Sequence, residues 1–208
     1  APRLTARGGS ASAIFEVLLL SVPFTLALTI PMALFLTVLW VFTRLGAEGV
    51  LESARRERHG IRRLVAPVLG AVAVIGVLTL VSNSQVVPRA NAQLVSVLTG
   101  VTPGPTDRTM TIGELREAAR SAGAGNGAEA AAYQVEIQKK FALAAACVVL
   151  ALAGAAIPIR FPGGGLVLMF LASGAVFTGY YLTLVAGESL ADQQVISPFV
   201  AMWMANTV

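Results

Sequence analysis

Long apolar runs alternate with short polar breaks along this chain, and the length of the runs carries the first conclusion. From Ile14 to Phe42 the only charge is Glu16, and Leu64 to Val81 has none. Phe141 to Ile159 and Leu166 to Ala186 are two further uncharged runs. A hydrocarbon core of about 30 Å takes about 20 mostly apolar residues in a helix, because only a helix or a closed barrel satisfies its own backbone hydrogen bonds in lipid. The pattern therefore predicts four full spans. From Val195, "VISPFVAMWMANTV" reads as the opening turns of a fifth. No run of alternating strands is present, so the expected fold is an all-α integral membrane protein, a polytopic helix bundle without a sizeable β domain.

Composition agrees with that frame. Of 208 residues 56% are hydrophobic and only 12% charged, and the mean hydropathy is +0.75, far from the balance of a soluble domain. The single cysteine, Cys147, falls inside the third run. That rules out a disulfide framework or a thiol pair for metal and leaves it as a small apolar filler. The net charge of +4 comes chiefly from arginines beside the spans. It suits anionic lipid headgroups or an acidic partner, and no aromatic-plus-basic surface suggests nucleic acid.

Arginine placement sets the expected orientation. The connection from Thr43 to Arg63 holds Arg44, Arg55, Arg56, Arg58, Arg62 and Arg63, and short loops this rich in arginine stay cytoplasmic. The chain then divides into four parts. Residues 1–13 are an extracytoplasmic N-terminal stretch, and 14–81 are two transmembrane helices joined through a cytoplasmic helix at about 47–60. Residues 82–140 are an extracytoplasmic segment with short helices, and 141–208 are transmembrane helices with the last one cut short. The chain starts at Ala1 without methionine, and "APRLTARGGSAS" has no signal-peptide pattern. A longer polypeptide, with at least one more helix before Ala1, is expected.

Several local features add detail. Pro23 and Pro31 fall inside the first span, where each removes a helical hydrogen bond. "SNSQVVPRANAQLVSVL" either extends the second span or turns along the membrane surface, and "TGVTPGPTDR" is a loop. Thr111 and Glu114 in "TIGELREAAR" have the spacing of a capping box, opening a short helix that ends by "SAGAGNG". A further helix is expected from near Ala128 into the third span.

The stretch "LESARRERHGIRRLVAPVLG" packs five arginines, two glutamates and the only histidine between two uncharged runs. Read as a helix ending near Gly60, it puts Glu52 on one face with Arg55 and Arg56, with His59 and Arg63 continuing that side. Such a helix lies on the membrane surface or plugs into another protein. Two readings stay open on the residues alone: a docking element, or a topology anchor in which Glu52 only pairs with its neighbouring arginines.

Here a resemblance enters. "SVPFTLALTIPMALFLTVLWVFTRLGAEGVLESARRERHGIRRLVAPVL" resembles the second and third spans of the LptF/LptG family of lipopolysaccharide-export permeases. The shared pattern is a proline-containing helix, Arg44 and Leu45, then Glu52, Gly60 and Ile61, and Pro67 opening the next helix. "VVPRANAQL" is similar to the family's Pro-x-x-Asn exit from that helix. "MTIGELREAA", "YQVEIQKKFALAAACVVLALAGAAIPIRF", "YYLTLVAGESLAD" and "SPFVAMWMAN" resemble its later helices in order.

The resemblance implies the transmembrane half of an ABC exporter in the bacterial inner membrane. It would work with a second homologous half and a separate cytoplasmic ATPase dimer, and move lipopolysaccharide. It makes the arginine-rich helix a coupling helix, with Glu52, Arg55, Arg56, His59 and Gly60 at the ATPase contact. It also gives Lys139 and Lys140 a place at the outer face, where basic residues hold phosphorylated headgroups; lysines that merely end a span are the other reading. No GxxxxGK[ST] occurs, so this chain cradles no nucleotide itself, and with His59 solitary and no Ser/His/Asp or metal constellation it is expected to be no enzyme, with no cofactor and no metal site. One departure stands out. The family carries a periplasmic β-jelly-roll between its third and fourth spans, and only "VLTGVTPGPTDRTM" occupies that place here. That keeps a second function open: a non-transporting membrane scaffold subunit of a larger complex that retains the permease-like helices.

Overall fold

The computed structural model describes residues 11–57, 60–99, 106–123, 125 and 127–207. Helix α1 is Ala11–Ala47, α2 is Val50–Arg56 and α3 is Gly60–Val81. A five-residue π-turn, Ser82–Val86, joins α3 directly to α4, Val87–Thr99. A 3-10 turn at Asp107–Thr109 leads to α5, Ile112–Gly123. Then follow α6, Gly127–Arg160, α7, Gly165–Asp192, and the short α8, Pro198–Trp203, with a last 3-10 turn at Met204–Asn206. Four stretches are long and apolar enough to cross a membrane: Thr25–Ala47, Gly60–Val97, Gly127–Arg160 and Gly165–Ala191. No strand occurs among the described residues, and the fold is an all-α membrane bundle.

Helix α6 is its axis. Half of its most apolar window is buried, against 6% for that of α7. One side of α6 packs Leu143, Ala146 and Leu150 against Met32, Phe35 and Leu39 of α1 and Met202 of α8. Its other side packs Cys147, Ala151 and Ala155 against Val38 and Phe42 of α1, Leu51 of α2 and Val72 of α3. Small residues bring the backbones close, the usual basis of helix association in lipid. A Cβ on Gly154 would stand 2.7 Å from the carbonyl oxygen of Phe35. One on Gly187 would overlap Ala201, which fixes α8 against α7. Cys147 fills space as expected, its sulfur 3.8 Å from the Thr79 hydroxyl.

Two local expectations are met closely. α6 begins one residue before Ala128. The capping box is also formed: the Glu114 carboxylate accepts from the Thr111 amide at 2.7 Å, and the Thr111 hydroxyl accepts from the Glu114 amide at 3.5 Å. "SNSQVVPRANAQL" resolves as an extension of the second span rather than a turn along the surface. The arginine-rich helix is shorter than its charge pattern suggests. It stops at Arg56, where Glu57 turns extended (φ −89°, ψ 135°), and Gly60 starts the next helix instead of ending this one. Arg63 thus belongs to α3 and not to the Glu52 face.

Candidate functional site

The charged residues gather at two ends of the bundle. At one end α1 closes with Arg44, whose Nε donates to Glu48 at 2.8 Å and whose guanidinium lies 5.8 Å from the Trp40 ring centroid. The chain then turns at Gly49, whose φ of 76° is left-handed and open to glycine without strain. Helix α2 is amphipathic within two turns. Leu51 and Ala54 are buried, Leu51 in the core cluster with Phe42, while Glu52, Ser53, Arg55 and Arg56 are exposed. Glu52 accepts from Arg56 at 3.2 Å, and both side chains remain at least three-quarters exposed. At the far side Gly60 sits on α2, where a Cβ would overlap the Ala54 backbone. The result is an elbow: a seven-residue helix with its apolar face on the bundle, its charged face outward, and a close contact to each flanking span. His59, and Arg58 beside it, lie outside the described residues.

At the opposite end, α6 carries Glu136, Lys139 and Lys140 on its approach to the apolar run. Lys139 donates to Glu188 of α7 at 2.7 Å and lies 4.0 Å from Glu136. Lys140 is almost fully buried. Its ammonium donates to the carbonyl of Asn83 in the π-turn at 3.0 Å, with the Glu136 carboxylate at 3.8 Å. An ammonium taken out of water needs such company, since unpaired burial of a charge costs several kcal/mol (roughly, after relaxation). The Asn83 carboxamide is also buried, and neither of its atoms has a hydrogen-bond partner. These groups border a cavity of about 440 Å3 between α1, the π-turn with α4, α6 and α7, with Thr25, Thr29 and Arg108 in its wall.

The sequence-predicted residues are therefore not brought together. Glu52, Arg55, Arg56 and Gly60 form one region; Lys139 and Lys140 form another at the far end of the same bundle, and differ in state. Both border the cavity, but Lys139 is partly exposed there whereas the Lys140 side chain is almost fully buried. Sequence reasoning missed Glu136, Glu188 and Asn83. A signal existed for one of them, since Glu136 stands four residues before Lys140 at the spacing of a helical ion pair. Nothing local announces Asn83 or Glu188, which lie 57 and 49 residues from the lysines they meet.

A bundle of apolar helices with a charged elbow at one end and a polar cavity near the other defines a multi-pass membrane protein. The family model for the lipopolysaccharide export system permease LptF/LptG matches residues 1–102 and 97–208. The chain belongs to the LptF/LptG family. Comparison with curated proteins and with solved structures finds no match. The two matched stretches overlap at residues 97–102.

Proposed function

We propose that this chain is the membrane half of an ABC exporter that draws lipopolysaccharide out of the inner membrane. A separate ATPase dimer drives it, and a second homologous half completes the passage. The observation that carries this reading is the elbow at Gly49 to Gly60. Leu51 and Ala54 tie α2 to the bundle while Glu52 is left on the outward face. A rigidly mounted helix with a projecting carboxylate suits a protein contact that moves two spans together. Burying that carboxylate against a cation of the ATPase gives a directed ion pair, worth ~2–5 kcal/mol on truncation. In this reading the arginine-rich end is cytoplasmic, and nucleotide hydrolysis belongs to the partner. At the other end, the cavity beside Lys139 is where a phosphorylated headgroup is held, with Lys139 poised between Glu136 and Glu188.

Glu52→Lys reverses the charge at that position without touching the core, and it is expected to abolish export and co-purification with the ATPase. Export and binding at wild-type levels would overturn the coupling role. A second reading, a scaffold subunit that does not transport, is favoured by the short sequence "VLTGVTPGPTDRTM" in place of the jelly-roll. Affinity purification from native membranes separates the two: an ATPase and a homologous half accompany an exporter, and neither accompanies a scaffold.

A further inference from the structure

The π-turn has a cause that can be read from the backbone. The Val87 amide donates to the Ser82 carbonyl, five residues back instead of four. In that register the carbonyl of Asn83 should receive the amide of residue 88, but residue 88 is proline and has no N–H. The Asn83 carbonyl is thus left without its helical donor inside a membrane-spanning rod, where such a group must find another. It finds the ammonium of Lys140, 3.0 Å away on α6. The bond is between helices, and the rod from Gly60 to Thr99 is latched to the axis of the bundle at this one irregular turn.

Two further observations concern what the latch connects. On one side, α3 runs from Gly60, packed on the backbone of α2, to the π-turn without a break. On the other, Asn83, Val87 and Asn91 form the cavity wall contributed by this rod. Both polar atoms of the Asn83 side chain are buried at the cavity wall without a protein hydrogen-bond partner. Moving the extra residue of a π-turn along a helix rotates the side chains it passes by about 100°. Such a shift gives the carboxamide a different environment and reshapes the wall.

We infer that Lys140 is a positioning residue for transport: it holds the π-turn against α6, so that displacement of the α2 end is converted at Ser82–Val86 into a change of the cavity wall. This rests on the coupling role proposed for α2. It assigns Lys140 a place in the transmission and leaves headgroup contact to Lys139.

The test uses the permease assembled with its ATPase in nanodiscs, with nitroxide pairs in a Cys147→Ser background. One pair, at Arg62 and Arg160, reports the arginine-rich end, and the other, at Arg89 and Gln134, reports the cavity end; all four positions are exposed. In the wild type, trapping with ATP is expected to change both distances. In Lys140→Met the first change persists and the second is lost, while lipopolysaccharide exported per ATP hydrolysed falls about 2- to 30-fold, the range that coupling mutations span. Lys140→Arg, which keeps a donor, restores the second change. Glu136→Gln/Lys140→Met removes the bond without stranding a carboxylate, and it carries the test if the single variant does not fold. Persistence of the cavity-end change in the double variant would overturn the inference. So would loss of both changes with altered resting distances, which marks a general structural role. A wild-type complex with no change at the arginine-rich end defeats the coupling reading itself, and this inference with it.

Discussion

Two glutamate and cation pairs in this molecule share one spacing and differ in everything else. Glu52 and Arg56 are four residues apart on α2, as Glu136 and Lys140 are on α6. The first pair has side chains 75% and 80% exposed; in the second they are 15% and 5% exposed. In water, the i,i+4 attraction is screened and offsets little more than the entropy of holding two long side chains. Inside the bundle, the same two charges lose their hydration and depend on each other and on a backbone carbonyl. An exposed pair is free to exchange its partner for one on another protein. A buried pair is committed to the fold.

The comparison is broken most strongly at the buried pair. Lys140→Met should lower stability by about 3–5 kcal/mol, because it leaves the Asn83 carbonyl without a donor and Glu136 with only the more distant Lys139 as a cation. Glu136→Gln/Lys140→Met should recover part of that loss. Equilibrium unfolding in mixed micelles measures both, and a single variant no worse than the double would show that the pair is not mutually dependent.

Outside the spans, the capping box of α5 gives an intermediate case. The amide and then the hydroxyl of Thr111 hold the Glu114 carboxyl below the usual carboxylate range. A depressed value stabilises the fold above the unfolded pKa of about 4.3, and this contribution is lost as pH falls through the lower folded value. Thr111→Ala should cost α5 about 0.5–2 kcal/mol and flatten that acid dependence, read from helix content and from the Glu114 carboxyl resonance between neutral and acid pH. Since the residue 111 amide remains in the variant, an unchanged titration of Glu114 would show that the Thr111 hydroxyl has no part in it.

The smallest effect belongs to the exposed pair. Glu52→Gln should change stability by no more than about 0.5 kcal/mol, measured in the same unfolding assay. Together with loss of export in Glu52→Lys, that would separate function from folding at the elbow. A large stability loss would make Glu52 a structural residue.

Much of the fold was legible in the residues, for identifiable reasons. Length and apolarity decide whether a segment can cross lipid, and the runs at Leu64, Phe141 and Leu166 became α3, α6 and α7 with only their ends displaced. The caps at Thr111 and near Ala128 were legible because a helix start depends on a few neighbouring side chains. The end of α2 was misjudged because charge spacing says which residues share a face, not where the backbone stops. There the break serves the packing of Gly60 on Ala54.

The sequence by itself determined which segments are long and apolar enough to cross a membrane, since hydropathy is settled within a few turns of chain, and its motifs carried the family. Only the tertiary structure decided that, at one cavity wall, Lys139 stays partly exposed and meets Glu188 while Lys140 is buried on the Asn83 carbonyl. The two are adjacent on one helix and point to different neighbours. Which of them meets solvent depends on where α7 and the π-turn of a distant segment come to rest, and the dielectric surrounding a charge is a property of that assembled environment.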